Sequence, residues 1–376
     1  MTNSNLTTSH DTEAAILEKY PIEDIEDNLD DDSVQAVKYS ISSFGVDYDT
    51  EGAVRRLKRG DIAVPDFQRS YVWNISEASR LVESLLLGLP VPGVFLAAEH
   101  ETKQLLVIDG QQRLKSLLFF YEGFFNPIDG ETTRRVFSLQ KVQKHLEGKT
   151  YATLSEEERR TLDNAVIHAT VVRQDSPEND DTGMYHIFER LNTGGRKLVP
   201  QEIRTAVYRG QLISALSRMN ANPDWRAIYG PSSPRLKDQE LITRYLAFRT
   251  GWQSYQAPMT DFISSFCKKN QNIADADSRL LEQEFSAVIA LARSSLGDRA
   301  FRPKRALNAA LLEAFMVALS SLMQSNQGSI SQEKIASSYS KLIADPGFIS
   351  AISKSTANEK NVQLRFLLAK QYLEQP

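Results

Sequence analysis

The spacing of apolar residues divides the chain into two parts with different periods. Up to about residue 210, short apolar runs rich in branched side chains alternate with segments of helical period, which predicts strands and helices in turn. From about residue 211, strand signals nearly vanish and one helical period follows another. The pattern therefore predicts an α+β protein, with a mixed α/β domain followed by an all-α domain.

Individual elements follow from the same pattern and from the residues that start and stop helices. Strands are predicted at 35–46, 62–64, 94–98, 105–108 and 167–172. In the first part, helices are predicted at 50–58, 77–87 with Ser76 as N-cap, 156–165, 184–191 and 201–209. In the second part, helices are predicted at 211–220, 236–250, 258–270, 277–295, 304–324, 331–343 and 359–374, with Pro231, Pro234 and Pro346 at joints.

The most informative stretch is Leu105–Leu118, where a short apolar strand turns at Asp109-Gly110 into an amphipathic helix. A strand, a tight turn and a helix place backbone N–H groups and the positive end of the helix dipole at one point. Such a point suits a phosphate, and Gln111, Gln112 and Arg113 in the first turn can reach an anion or a base edge. The stretch lacks the Gly-rich signature of a phosphate loop, so a polar helix start with a solvated arginine is the alternative.

Length and charge predict an acidic arm ahead of two domains. Residues 1–33 contain ten Asp or Glu and one Lys, a net charge of −9; because the whole chain carries −4, the remainder carries +5. We predict a flexible acidic arm at 1–33, a first domain at 34–210 and a helical domain at 211–376. The arm is either a solvated tail or a docking segment for a basic partner. A modestly basic body can bind a polyanion locally but lacks the excess of a DNA-coating protein.

Composition excludes several classes of protein. The single cysteine excludes a disulfide framework and a Cys-based zinc site. There is no run of about 18 apolar residues, so neither a membrane span nor a membrane partner is expected. The first residues lack a basic and apolar signal peptide, which makes a cytoplasmic location the default expectation. No histidine follows His186, so a His-dependent nuclease or triad cannot lie wholly in the helical half.

Three polar clusters interrupt the regular elements. They are Phe67-Gln68-Arg69-Ser70-Tyr71-Val72-Trp73, Asp109-Gly110-Gln111-Gln112-Arg113 and Arg190-Leu191-Asn192-Thr193-Gly194-Gly195, the last followed by Glu202 and Arg204. All three lie at element boundaries, where functional sites usually lie.

The charged members of these clusters have a functional and a structural interpretation. Asp109 follows a strand directly, so it can hold a divalent metal or orient a water; alternatively, it is a turn residue that caps the helix. Arg69, Arg113 and Arg204 can clamp phosphates through bidentate hydrogen bonds, or each can be a partner in a structural salt bridge.

The amide and aromatic side chains of the clusters also have both a functional and a structural interpretation. Gln68 and Asn192 can read a base edge or a ribose, or they can satisfy the backbone of their loops. Tyr71 and Trp73 can stack on a base, or they can belong to the core, as aromatic residues beside a strand usually do.

Taken together, the three clusters resemble the GmrSD-type N-terminal domain family, known as domain of unknown function 262. The residues that carry the resemblance are Phe67–Trp73, Ile108–Leu114, Phe188–Gly195 and Leu198–Arg204. The resemblance covers roughly 45–210, and the order and spacing of the motifs agree throughout.

The resemblance implies a core similar to the ParB/sulfiredoxin fold, with a nucleotide held at the turn matching Asp109–Arg113. It further implies nucleoside-triphosphate binding and hydrolysis within a prokaryotic anti-phage system, some members of which restrict modified DNA. In such systems, an HNH nuclease in a C-terminal domain or a partner chain cuts the DNA. The C-terminal half of this chain lacks the histidine that such a nuclease needs, so a partner nuclease or second defence subunit is expected.

The resulting hypothesis is an NTP-hydrolysing sensor subunit of a restriction-type defence system. Asp109, Arg113 and Arg69 are the expected catalytic residues, and Asp109 is also the expected ligand of Mg²⁺ or Mn²⁺. The residues expected to hold the nucleotide are Gln68, Gly110, Gln111, Gln112, Asn192, Thr193 and Arg204. The helical domain is expected to pass the nucleotide state to DNA or a partner, and a homo-oligomer is left open. The alternatives are a DNA-binding module without hydrolysis and a metal-dependent nuclease using Asp109 and Glu202.

Overall fold

The chain divides into two units. The computed structural model describes residues 21–22, 40–64, 71, 73–99, 103–125, 135–176, 187–188, 198–325 and 331–374. One unit is Val37–Leu198, and the other is Val199–Pro376 with the N-terminal segment, of which Pro21 and Ile22 are described. The division at Val199 assigns the helix after Pro200 to the helical unit, whereas the sequence interpretation placed that helix in the first domain.

A mixed five-stranded sheet forms the centre of the first unit. Its strands are β1 (Ser40–Asp49), β2 (Ile62–Ala63), β3 (Val94–Ala98), β4 (Leu105–Asp109) and β7 (Val166–Ser176), in the order β1-β7-β3-β4-β2. The pairs β1–β7 and β3–β4 are antiparallel, whereas β7–β3 and β4–β2 are parallel. Two short strands, β5 (Phe124–Phe125) and β6 (Arg135–Val136), pair with each other. The strands predicted at 94–98 and 105–108 are therefore present, and they form a hairpin.

Helices of the first unit pack on this sheet through one apolar stripe each. The described helices are α1 (Thr50–Arg59), α2 (Ile75–Leu86), α3 (Gln111–Glu122) and α4 (Glu156–Asp163). Their buried side chains, such as Val54, Leu81 and Leu117, share one core with Leu96 and Val171 of the sheet. Burial of these stripes fixes how the end of β4 and the start of α3 meet.

Two helix starts were predicted correctly from local capping signals. α1 follows Asp49, whose carboxylate accepts the N–H of Gly52, and ends at Gly60 with a φ of 79°. α4 opens with a capping box between Ser155 and Glu158. Such signals are reliable because donor and acceptor lie within a few residues of each other.

The predicted start of α2 is wrong by two residues. Ser76 was expected as N-cap, but the cap is Asn74, whose side chain accepts the N–H groups of Ser76 and Glu77. The Glu77 carboxylate returns to the N–H of Asn74 at 2.8 Å. Both residues are good caps, and the reciprocal bond of the capping box favours Asn74.

The second unit is built of helices. They are α5 (Pro200–Val207), α6 (Gln211–Asn220), α7 (Pro223–Tyr229), α8 (Lys237–Gly251), α9 (Met259–Lys269), α10 (Asp275–Leu296), α11 (Ala309–Ser325), α12 (Gln332–Leu342), α13 (Pro346–Ser353) and α14 (Glu359–Glu374). α11 is buried on nearly all sides and packs against α8, α10 and α14. Between residues 198 and 374, the described part contains no strand beyond one bridge of Leu307 to Ile22.

The helical periods located most of these helices. α6 and α14 have the predicted bounds, whereas the helix predicted at 304–324 begins only at Ala309. α7 and α13 were missed; Pro346, expected at a joint, is the first residue of α13 because its fixed φ suits that position. Residues 35–39 of the first predicted strand and most of the helix predicted at 184–191 lie outside the described residues.

Across the described helices of both units, none combines the length and the apolar character needed to traverse a bilayer.

Candidate functional site

The central turn adopts the predicted strand–turn–helix geometry. β4 ends at Asp109, and α3 begins at Gln111 with Gly110 as its N-cap, at a φ of 99° and without a side-chain cap. A Cβ atom on Gly110 would lie 2.4 Å from Cγ1 of Val94 on β3. Both the positive φ and the close approach of β3 therefore require glycine here, independently of any ligand.

Arg113 is the charged residue that defines this site. Its Nη2 donates to Oδ2 of Asp109 at 2.9 Å and to the carbonyl oxygen of Gly93 at 3.0 Å. The side chains of Arg113 and Asp109 are 18% and 29% exposed. Nε of Arg113 is buried and has no hydrogen-bond partner among the described residues. Both described contacts use Nη2, so the guanidinium is held in place by the protein while Nη1 retains donor capacity for an anion.

The electrostatics of this helix start favour an anion. The first turn of α3 contains no acidic residue, and Arg113 lies at its third position. A cation next to the positive end of the helix dipole is unfavourable by itself, so the Asp109 carboxylate offsets part of that cost. An incoming phosphate can offset more of it, because it interacts with both the guanidinium and the helix dipole.

The first polar cluster contacts the second through α3. The N–H of Trp73 donates to Oε1 of Gln112 at 3.2 Å. The Tyr71 hydroxyl lies 2.6 Å from Oγ of Ser116, which in turn donates to the carbonyl oxygen of Gln112 at 2.7 Å. Gln112 therefore supports the loop that precedes α2, while Gln111 is 9% exposed.

Tyr71 does not offer a surface for a base. Its side chain is 5% exposed and packs edge-on against Phe119 and Phe125 at 5.0 and 5.5 Å. Burial raises the pKa of its hydroxyl. Of the two interpretations left open for Tyr71, the structure supports the one that places it in the core; Trp73 is half-buried against the same core.

Several predicted site residues are not described by the structure. Gln68, Arg69, Asn192 and Thr193 lie outside the described residues. Their convergence on Asp109 therefore remains a prediction, and the described part of the site consists of the helix start with its supports.

Arg204 is placed in the interior of the helical unit. Its side chain is 0% exposed, and it donates to Oγ of Ser264 at 3.3 Å, to Glu240 at 3.4 Å and to Gln201 at 3.5 Å. Burial raises the pKa of the adjacent Cys267 thiol to about 12. A guanidinium without exposed surface is not accessible to a nucleotide phosphate, so the structure favours the salt-bridge interpretation of Arg204.

Glu202 is engaged in the same part of the fold. Its Oε1 and Oε2 accept from Nε and Nη2 of Arg235 at 3.1 and 2.8 Å, and Oε2 also accepts the N–H of Val199 at 2.7 Å. The side chain is 3% exposed. Both carboxylate oxygens are thus used to fix the start of α5, which argues against the metal-ligand role that the nuclease alternative requires.

A protein-only metal site is absent from the described residues. No group of three or more His, Cys, Asp or Glu side chains among them could hold a metal ion. Sites for Mg²⁺ with a nucleotide use only one or two carboxylates, with the substrate phosphates as further ligands. Asp109 alone therefore fits Mg²⁺ that arrives with a triphosphate and does not fit a metal held by protein groups alone.

Sequence reasoning missed the partners that position the turn. Gly93 supplies the carbonyl that fixes Arg113, and Val94 supplies the wall against Gly110. The only sequence signal was Pro92-Gly93 just before β3, which marked an extended segment and gave no indication of a contact with α3.

Comparison with protein families identifies the segment that contains this site. Residues 51–209 match the family described as GmrSD restriction endonuclease, N-terminal domain. The matched range includes all three polar clusters and the start of α5. The predicted resemblance is therefore confirmed for this range.

A curated relative shares a shorter stretch. It is the uncharacterized protein MJ0686 of Methanocaldococcus jannaschii, which is 31% identical over 90 residues. The similarity covers 18% of this chain and 15% of the relative. The chain thus spans only a small part of the length of that relative.

Proposed function

Because residues 51–209 match the family described as GmrSD restriction endonuclease, N-terminal domain, we propose that the protein is a nucleoside-triphosphate-hydrolysing sensor subunit of a restriction-type anti-phage system. In this proposal, nucleotide turnover in the first unit regulates how the helical unit engages DNA or a partner. Residues 187–376 contain no histidine, so the proposal assigns DNA cleavage to a partner chain. The proposed core is similar to the ParB/sulfiredoxin fold.

One observation carries the proposal. Arg113 is fixed at the uncapped start of α3 by Asp109 and by the carbonyl of Gly93 through Nη2 alone, and no described contact uses its Nη1. A preorganised cation at the positive end of a helix dipole stabilises the negative charge of phosphoryl transfer without reorganising during the reaction. This is the chemistry expected of a phosphate site.

The proposed roles follow from this geometry. Arg113 binds the terminal phosphate and neutralises its charge, and Asp109 orients Arg113 and positions the attacking water. When bound with the triphosphate, Mg²⁺ or Mn²⁺ neutralises charge on the phosphate oxygens. Further nucleotide contacts are assigned to Gln111 and Gln112 and, from the clusters outside the described residues, to Gln68, Arg69, Asn192 and Thr193.

The experiment that tests the proposal is phosphate release from nucleoside triphosphates by the full-length chain. The wild type is compared with Asp109→Ala and Arg113→Ala, each at saturating and limiting nucleotide. We expect Arg113→Ala to lower kcat/KM by on the order of a hundredfold, because it removes a charge that acts on the transition state. Asp109→Ala is expected to act mainly on kcat.

A matched control separates the site from general effects of charge. Arg160→Ala removes an arginine that also forms an i,i+4 ion pair, with Glu156 on α4, but that side chain is 74% exposed and lies in the last turn of its helix. Its turnover should equal that of the wild type. Equal phosphate release by the wild type, Asp109→Ala and Arg113→Ala would remove the assignment.

A second candidate function is DNA binding without hydrolysis. The observation that favours it concerns the acidic side chain at the turn. The Asp109 carboxylate already pairs with Arg113, so hydrolysis would require this same group to position Arg113 and to bind the metal. Salt dependence separates the two functions, since binding to backbone phosphates weakens steeply with salt. Salt-sensitive DNA binding without phosphate release from any nucleotide would favour this candidate.

A further inference from the structure

The loop between α10 and α11 concentrates positive charge on the helical unit. Within residues 297–308, it contains one acidic residue, Asp298, and four basic residues. The basic residues are Arg299, Arg302, Lys304 and Arg305, and we call this segment the basic loop. Nothing in the proposed nucleotide site uses these residues.

Three of the four cations of the basic loop face solvent. Arg299, Lys304 and Arg305 are exposed. Among the described residues, no carboxylate lies within ion-pair distance of Arg299 or Lys304. The neighbouring Asp298 pairs instead with Nε of Arg293, at 2.8 Å. The positive charge of these two side chains is therefore not compensated locally.

The backbone under these cations is fixed by buried contacts. Phe301 is 0% exposed and packs against Phe315, with ring centroids 6.2 Å apart. The guanidinium of Arg302 donates to the carbonyl oxygens of Ile228 and Tyr229 at 2.6 and 3.2 Å. A loop held in this way presents its cations at low ordering cost, which favours binding of an extended polyanion.

The charge of the segment that contains the basic loop points to the same class of ligand. Val199–Pro376 contains 22 Lys or Arg and 15 Asp or Glu, a net charge of +7, whereas residues 1–36, which belong to the same unit, carry −9. Positive charge is therefore concentrated on Val199–Pro376, and such a local excess attracts a polyanion. Uncompensated Arg and Lys side chains on a fixed loop bind backbone phosphates well.

We propose that the basic loop binds the phosphate backbone of duplex DNA. Arg299 and Lys304 contact phosphates, and the contact positions the DNA without reading its sequence. The choice of DNA as the polyanion rests on the proposed restriction-type function, whereas the binding surface itself is carried by the loop.

The test is equilibrium binding of the full-length chain to a fluorescently labelled duplex of mixed sequence over a series of salt concentrations. The variant is Arg299→Ala/Lys304→Ala, two exposed positions whose replacement leaves the buried supports intact. We expect affinity to fall on the order of tenfold. The slope of log affinity against log salt should decrease in magnitude by about two, one unit for each lost phosphate contact.

The control is Lys334→Ala/Lys341→Ala on α12, which removes the same charge from two exposed lysines of the same unit. It should retain the wild-type salt slope. Unchanged affinity and slope in the loop variant would overturn the proposal. Equal weakening by both variants would also overturn it, because net charge would then explain the binding.

Phosphate release measured in parallel without DNA separates this inference from the proposed function. A loop variant with wild-type turnover and weakened DNA binding supports the basic loop as a separate surface. If no nucleotide is hydrolysed but the loop variant still loses DNA, the NTPase assignment fails and the binding surface stands. If inorganic phosphate displaces DNA far better than chloride at matched ionic strength, the loop is a site for a free anion and the proposal fails.

Discussion

The two units use the same pair of residue types, arginine with a carboxylate, in opposite surroundings. In the first unit, Asp109 and Arg113 meet at a helix start with 29% and 18% of their side chains exposed. In the helical unit, Glu313 of α11 lies between Arg244 of α8 and Arg365 of α14, and all three side chains are at most 2% exposed. The contrast indicates which arginines can exchange partners and which cannot.

Solvation explains the difference between the partly exposed ion pair and the buried cluster. A partly exposed pair contributes little to stability, because each ion is solvated in the alternative state and a ligand can replace one partner at small cost. A buried pair has already lost its hydration, so breaking it leaves a charge without compensation. Burial and the neighbouring Arg244 lower the pKa of Arg365, although Glu313 opposes that shift. The proposed binding chemistry is therefore assigned to Asp109–Arg113, whereas the Glu313 cluster links three helices.

The largest effect is expected at the buried cluster. Glu313→Ala leaves Arg244 and Arg365 buried without their shared carboxylate, and it should lower the free energy of unfolding by about 3–5 kcal/mol. Chemical denaturation followed by circular dichroism measures this change. The triple variant Arg244→Met/Glu313→Leu/Arg365→Met should recover most of the loss, because it removes all three charges together. A Glu313→Ala variant as stable as the wild type would show that the buried ion cluster is not needed to hold the helices together.

Arg204 gives a sharper test, since sequence and structure assign it different roles. Arg204→Met removes the partner of buried Glu240 and should lower the free energy of unfolding by about 3 kcal/mol. In the protein that remains folded, the KM for nucleotide should not change. A raised KM with unchanged stability would show that Arg204 clamps a phosphate after all.

The turn that holds the exposed pair should tolerate little change. Gly110→Ala places a Cβ 2.4 Å from Val94 at a positive φ, and it should lower the free energy of unfolding by about 2 kcal/mol. Gly123→Ala is the matched control, because its φ is 78° and no atom lies within 4 Å of the added Cβ. Only the backbone cost of about 1 kcal/mol is expected there. Equal losses at both positions would mean that β3 does not constrain the turn.

The smallest effect on stability is expected at Arg113. Arg113→Ala breaks a partly exposed pair and should change the free energy of unfolding by less than about 1 kcal/mol. Nucleotide affinity should nevertheless fall clearly, as measured by fluorescence anisotropy of a labelled nucleotide. A large loss of stability with unchanged affinity would place Arg113 with the buried arginines and remove the distinction between the units.

Much of the secondary structure could be predicted from sequence because its causes are local. The cap at Asp49, the box at Ser155 and the turn at Gly110 depend on residues a few positions apart. Helix periods in the second half located most helices, since each buried stripe repeats within one element. Two helices that begin with proline were missed, and at one of them Pro346 was taken as a joint rather than as the first helical residue.

The roles of single polar residues were harder to predict. Tyr71 and Arg204 both lie in motifs that carry the family resemblance, yet each is buried against elements distant in sequence. A motif does not distinguish a residue that binds a ligand from one that holds the scaffold of the same site. The partners that decide the matter, Phe125 for one and Glu240 for the other, carry no signal of their own.

The amino-acid pattern alone specified the strand–turn–helix at 105–122, the helical second half and the separation of charge along the chain, because each depends on neighbours in sequence. Tertiary packing alone decided the strand order β1-β7-β3-β4-β2, the need for glycine against Val94, and which arginines remain accessible. The physical reason is that burial is a property of the assembled core. The same guanidinium is a binding group where water reaches it and a structural ion where packing has removed the water.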